Sequence, residues 1–291
     1  MKHTLVRIMG ALLAVVLCVV GLASCGGEKF DSSKNITVVG REDGSGTKSA
    51  FMEIIGLKGK ADIDGIIAHS STAAVLQEVA GNPYAIAYDS LGYVNDTVKI
   101  LKVDGVDCTI ENIKNGTYKI SRPLSIVYKE ATLSDPLNKA FYDFLGSSQA
   151  QEIISANGYV SIKDGAKEYT VQSGLSGTIE ISGSTSLQPL MIKLADKFKT
   201  IQSGVTVNVS GGGSGTGYKN ADEGVSQFGM ISEAFKSEKA PSCTSYVVAK
   251  DGIAVIVNKA NTNDGISMDV LKNIYNCEAG DAAVKTWSQV Q

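Results

Sequence analysis

Three stretches of this chain repeat one design: a short apolar strand, a loop of Ser, Thr and Gly, and a helix. The first is ITVVGREDGSGTKSAFMEII, residues 36–55, with its loop at residues 40–46. The second, residues 178–200, runs TIEISGSTSLQPLMIKLADKFKT, with Leu187, Leu190, Met191, Leu194 and Phe198 along one helical face. The third, residues 205–223, passes from alternating Val through GGGSGTG into a helix. A strand that turns directly into a helix must lay that helix back across a sheet. Three such units therefore call for an α/β body with mixed, mostly parallel sheets.

The rest of the chain keeps the alternation. Residues 64–68 read as a strand edge, and residues 71–80 as a helix stopped by Gly81-Asn82-Pro83. Strands are expected at 85–88, 98–103, 124–128, 228–232 and 253–257, and helices at 110–115, 136–145, 149–156 and 268–275. Residues 159–162 close the first half, and the polar, Gly-bearing stretch 163–177 reads as a linker.

In such sheets ligands sit outside the carboxyl ends of the strands, where loops lead into helices. A helix N-terminus presents unpaired N–H groups and a positive dipole end. Glycine lets the backbone approach an anion, and Ser and Thr add hydroxyl donors. Arg41 adds a charge-assisted contact, with Glu42 or Asp43 placed to orient it. Together the loops predict a cradle for a tetrahedral oxyanion.

Charge and motifs narrow the function. The 291 residues carry a formal net charge of −3, against a general nucleic-acid binder. Any anion site must then be built locally. A phosphate-binding GxxxxGK[ST] loop fails because Tyr218 stands where Lys is required. GxSxG and a full GxGxxG are absent from these loops. There are two histidines, His3 and His69, so a His-dependent triad or a multi-histidine metal centre is not expected. No cofactor is implied, and binding without catalysis is the expectation.

The N-terminus reads as a signal. Lys2, His3 and Arg7 precede an apolar run over residues 8–22, and Leu22-Ala23-Ser24-Cys25 resembles a bacterial lipobox. Residues 1–24 are then a lipoprotein signal peptide, Cys25 the lipidated first residue, and residues 25–35 a tether. Cys18 lies within the signal. Cys108, Cys243 and Cys277 remain, without CxxC spacing; one pair can form, and the sequence does not choose it.

The segments VVGREDGSGTKSAF, ISGSTSLQPLMIKLADKF and VNVSGGGSGTGYKNADEG resemble the signature segments of the phosphate-binding proteins of phosphate ABC transporters. AGNPYAIAYDSLGYV, KVDGV, NGTYKISRPL, AKDGIAVIVN and the closing NIYN…W extend the resemblance over nearly all of the chain after about Asn35. The order differs: residues 36–163 resemble the family's second half and residues 177–291 its first. The chain therefore resembles a circularly permuted member, with the old termini joined through residues 163–177.

The resemblance implies a two-lobed periplasmic-binding-protein fold of type II, with the ligand between the lobes. Residues 36–94 and 258–291 would form one lobe and residues 95–257 the other, with crossings near 94–95 and 257–258. It implies phosphate contacts from Arg41, Ser45, Gly46 and Thr47 on one side, and from Ser184, Thr185, Ser186 and Ser214 on the other. Many members carry an acid after the strand matching residues 228–231, which favours hydrogen phosphate over sulfate. Ser232 holds that position here, with Glu233 next to it, so the source of selectivity is open.

The implied function is extracytoplasmic capture of inorganic phosphate by a lipid-anchored, membrane-held monomer that delivers it to an ABC permease and binds no nucleic acid. Alternatives are another tetrahedral oxyanion (sulfate, molybdate or tungstate), a phosphate-ester hydrolase, or a phosphate sensor without a transporter. Permutation also requires the first strand to be held by residues 286–291 or their neighbours at the far end of the chain.

Overall fold

The structure, a computed structural model, describes residues 29–290. The expected signal peptide, Cys18 and Cys25 lie outside the described residues. From Ser32 onward the chain forms one compact unit.

The elements follow the expected alternation closely. They are β1 (Thr37–Arg41), α1 (Gly46–Ile54), β2 (Ile67–His69), α2 (Thr72–Gly81), β3 (Ala85–Ser90), β4 (Val98–Val103), α3 (Ile110–Lys114) and β5 (Ser121–Tyr128). Then come α4 (Pro136–Leu145), α5 (Ser148–Ala156), β6 (Gly177–Gly183), α6 (Gln188–Ile201), β7 (Val205–Ser210), α7 (Ser214–Glu223), β8 (Phe228–Ile231), β9 (Thr244–Asn258), β10 (Gly265–Ile266) and α8 (Met268–Tyr275). Local chemistry sets many helix starts. Ser45, Ser71, Thr109, Asp135, Ser147 and Ser267 each cap the first turn of a helix with a side-chain oxygen.

Two sheet regions share strand β9. On one side β2, β1 and β3 are parallel, and β3 runs antiparallel to residues 253–257 of β9. On the other, β7, β6 and β8 are parallel, and β5 joins β8 to residues 244–252 of β9. The strand order is β2-β1-β3-β9-β5-β8-β6-β7.

β4 pairs with residues 255–258 of β9, so residues 98–103 extend the β1–β3 region. The chain changes region near residues 120–121 and 252–253. The physical reason is the length of β9: it is one 15-residue strand whose two halves pair with different partners. Its first half escapes sequence reading because Lys250 and Asp251 interrupt the apolar pattern. Residues 159–162, which close the first half, hold one bridge, Val160 to Lys250.

Residues 163–176 hold neither helix nor strand, as a linker should, but they are docked. Tyr169 is buried and packs edge-on against both Phe144 and Phe198 at 5.9 Å. These rings belong to one hydrophobic core, with Leu124, Phe141, Leu194 and Phe228. A large apolar side chain buried this fully contributes about 1.5–3 kcal/mol.

The two ends of the unit meet. Ile36 N donates to Lys285 O at 2.8 Å, and Asn35 bridges Thr286. Trp287 N donates to Lys34 O at 3.2 Å, and its indole Nε1 to Tyr84 O at 3.1 Å. From α8, the Tyr275 hydroxyl donates to Val39 O and Ile86 O, and its ring sits edge-on to Phe51. The first strand is thus held by the far end of the chain.

A candidate anion site where four loops meet

The loop after β1 places Arg41 as the last residue of the strand, 3% exposed. Its guanidinium donates to His69 O at 3.1 Å, Ser70 O at 2.9 Å, Thr72 Oγ1 at 3.2 Å and Thr185 Oγ1 at 3.1 Å. All four acceptors are neutral. Burial draws the guanidinium below its usual pKa, and Asp89 is the strongest charge opposing that shift. Neither Glu42 nor Asp43 orients Arg41 as expected. Asp43 instead pairs with Lys48 at 2.8 Å, in solvent.

Hydroxyls gather around this cation. Thr47 Oγ1 and Ser186 Oγ are 2.8 Å apart, and Thr72 Oγ1 lies 3.1 Å from Thr185 Oγ1 and 3.2 Å from Ser186 Oγ. Ser214 Oγ accepts from Ser232 N at 3.1 Å and lies 3.4 Å from Ser232 Oγ. Gly46 faces that pair so closely that a Cβ on it would stand 2.3 Å from Ser214 Oγ and 2.8 Å from Ser232 Oγ. Gly44 O accepts from Gly215 N at 2.9 Å, joining the first loop to the start of α7.

All nine expected contact residues therefore fall within one neighbourhood, but not in equal roles. Arg41, Gly46, Thr47, Thr185, Ser186, Ser214 and Ser232 face one another across the loops. Ser45 and Ser184 use their hydroxyls locally: Ser45 Oγ accepts from Lys48 N, and Ser184 Oγ from Leu187 N, both at 3.3 Å. A cavity of about 200 Å³ opens beside them, lined by Arg41, Asp43, Ser70, Thr185, Gly212 and Gly213.

Thr72 was not expected. It is fully buried, and its hydroxyl links Arg41, Thr185 and Ser186. Its signal was present as a fourth strand–Ser/Thr–helix run, Ala68-His69-Ser70-Ser71-Thr72, obscured by a strand of only three residues.

Glu233 points to other work. It is 2% exposed, and its carboxylate accepts from Ser49 Oγ at 2.5 Å while pairing with Lys236 and Lys239, each at 2.7 Å. Burial pushes its pKa up, but the two lysines and Ser49 outweigh that and hold it below the usual carboxylate range. It is an ionised acid saturated by donors, and it ties α1 to the segment after β8.

The site offers a buried cation, hydroxyl donors and helix starts, and the hydrogen bonds of these hydroxyls run to one another, to backbone and to Arg41. That is the donor set for an oxyanion. A family model described as a PBP superfamily domain matches residues 28–149 and 170–291.

The chain belongs to the PBP superfamily.

Its relatives within that superfamily are consistent in kind. Phosphate-binding protein PstS 2 of Streptococcus agalactiae is 39% identical over 264 residues, covering 87% of this chain and 89% of that one. PstS 2 of Streptococcus pneumoniae is 35% identical over 294 residues, covering 97% and 98%. Among solved structures, the phosphate-binding protein of a phosphate ABC transporter from S. pneumoniae matches with a TM-score of 0.70 at 34% identity, over 88% of this chain and all of that one. The two-lobed α/β fold of this superfamily agrees with the sheets described above.

Proposed function

We propose that this protein binds inorganic phosphate outside the cytoplasm and delivers it to an ABC permease. The observation that carries the reading is the meeting of Arg41 with Thr185 and of Thr47 with Ser186, side chains 144 and 139 positions apart. Arg41, Ser45, Gly46, Thr47, Thr72, Ser184, Thr185, Ser186, Ser214 and Ser232 form the phosphate site in this reading. The names of the PstS 2 relatives support phosphate as the anion.

The protein acts by binding and release, not by catalysis. Its lobes are residues 32–120 with 253–290, and residues 121–252, hinged where β5 and β9 cross. Cys25 carries a lipid anchor, and the mature protein works as a monomer on the outer membrane face. The order of its segments is a circular permutation of the usual one. The pairing of Asn35 with Thr286 and the docking of Tyr169 both support that order, since they hold the new and the joined ends in place.

A second reading, another tetrahedral oxyanion, draws on one observation. Ser232 replaces the acid common in the family, and Glu233 is already saturated by Lys236, Lys239 and Ser49. Calorimetry with phosphate, sulfate, molybdate and tungstate on the chain lacking its first 25 residues decides between them. Tight binding of phosphate with weak sulfate binding is the expected result. Equal affinities would remove the phosphate assignment, and no heat with any anion would remove the site.

A further inference from the structure

Behind the hydroxyl loops lies a buried polar cluster that they do not require. β1 and β3 are parallel, in register Thr37 with Ala85 and Val38 with Ile86. Carried on by three residues, that register sets Arg41 beside Asp89, on the same face of the sheet. Asp89 is 1% exposed. Its Oδ1 accepts from Ser90 N at 2.7 Å, and its Oδ2 has no hydrogen-bond partner among the described residues. Ser90 Oγ and Asp251 Oδ1 are likewise unpartnered.

The other charged and titratable groups of the cluster come from β5, β9 and the chain after α5. Arg122 donates to Asp251 Oδ2 at 3.0 and 3.3 Å and to Ser232 O at 3.0 Å. The Tyr159 hydroxyl donates to Ser186 O at 3.4 Å. The cluster thus touches the site from behind at Ser186 and Ser232, and Asp89 is the strongest opposite charge acting on Arg41.

Charge compensation is uneven. Arg122 is committed to Asp251 through two hydrogen bonds. Asp89 has no such partner, and among the described residues no carboxylate lies within ion-pair distance of Arg41. Asp89 and Arg41 therefore serve as each other's principal opposite charge across the register. An anion seated at Arg41 competes for the same guanidinium and faces the Asp89 carboxylate in a medium of low dielectric. The carboxylate relieves that repulsion by taking a proton from solvent onto Oδ2, the oxygen with no partner.

We propose that Asp89 couples the site to protons: an anion bound at Arg41 drives uptake of a proton by Asp89. The inference rests on the anion-binding reading above. Burial already pushes the Asp89 carboxyl up to about 8; Arg41 and Arg122 pull it down, and Asp251 adds to the rise. A bound anion raises it further. The complex then holds more protons than the free protein, so affinity falls as pH rises between the free and bound values, by up to about tenfold per pH unit.

The test is calorimetry with inorganic phosphate near pH 8, in two buffers of different ionisation enthalpy, on the wild-type protein and Asp89→Asn. Ionisation of phosphate itself contributes equally to both proteins, so the difference belongs to Asp89. Wild type should take up more protons than the variant, by up to one per phosphate, and its affinity should fall more steeply between pH 7 and pH 9. Equal proton counts with intact binding would overturn the coupling and leave the anion site standing. Absence of binding in both proteins would remove the site and the coupling together. Should Asp89→Asn fail to fold, carboxyl-carbon NMR of the wild type decides. A carboxyl that titrates near pH 8 and moves upward with phosphate is expected; none titrating above pH 6 overturns the proposal.

Discussion

The Thr47 and Ser186 hydroxyls stand 2.8 Å apart, although 139 positions separate them in the chain. One begins the helix after β1 and the other follows β6, so this contact closes the two sheet regions onto one another. Around it the only buried positive charge held entirely by neutral acceptors is, among the described residues, Arg41.

Replacing Arg41 with Ala should weaken phosphate binding by about 10- to 100-fold, the equivalent of one charge-assisted hydrogen bond of about 1.5–3 kcal/mol. Isothermal calorimetry measures it, with a melting curve to show that the fold persists. Undiminished affinity would place the anion elsewhere.

Gly46→Ala puts a methyl group against Ser214 Oγ and Ser232 Oγ, both buried. Overpacking of this kind costs about 1–3 kcal/mol. Because the clash exists only while the loops are together, the loss should emerge as weaker phosphate affinity. Gly81→Ala is the control, since a Cβ there meets nothing within 4 Å. Similar affinities for the two variants would argue against the close approach of Gly46.

Glu233 contributes stability through its depressed folded-state pKa, a shift set by burial upward and, more strongly, by Lys236, Lys239 and Ser49 downward. A depressed carboxylate stabilises the fold fully above its unfolded value. That contribution is lost as pH falls through the lower folded value. Glu233→Gln should therefore cost about 1–3 kcal/mol at neutral pH, because the lysines are partly exposed and rehydrate. The deficit should shrink in acid. Urea unfolding at neutral and acidic pH would reveal it, and a pH-independent deficit would contradict the ionic origin.

Arg122→Leu leaves the Asp251 carboxyl, fully buried, without its cation. Removing one partner of a buried pair is worth about 3–5 kcal/mol. The loss should appear as a lower urea midpoint. The double variant Arg122→Leu with Asp251→Leu should recover part of it, and failure to recover any would mean the strands rely on Arg122 for something besides charge.

The local units were legible in the chain because their causes are local. Ser45, Ser71 and Ser267 cap helices within three residues of themselves, and the face from Leu190 to Phe198 is a matter of period. Most of the candidate site was legible for the same reason: each Ser/Gly loop announces a helix start whatever it faces. Partnership was not legible. That Thr72 joins the site, that Asp43 leaves Arg41 for Lys48, and that Glu233 turns to two lysines depend on which loops the sheets bring together. Asp89 and Asp251 lie just outside the strands expected at residues 85–88 and 253–257. Only the pairing of β3 and β5 with β9 buries them, and burial, with Arg41 and Arg122 alongside, makes them chemically distinct.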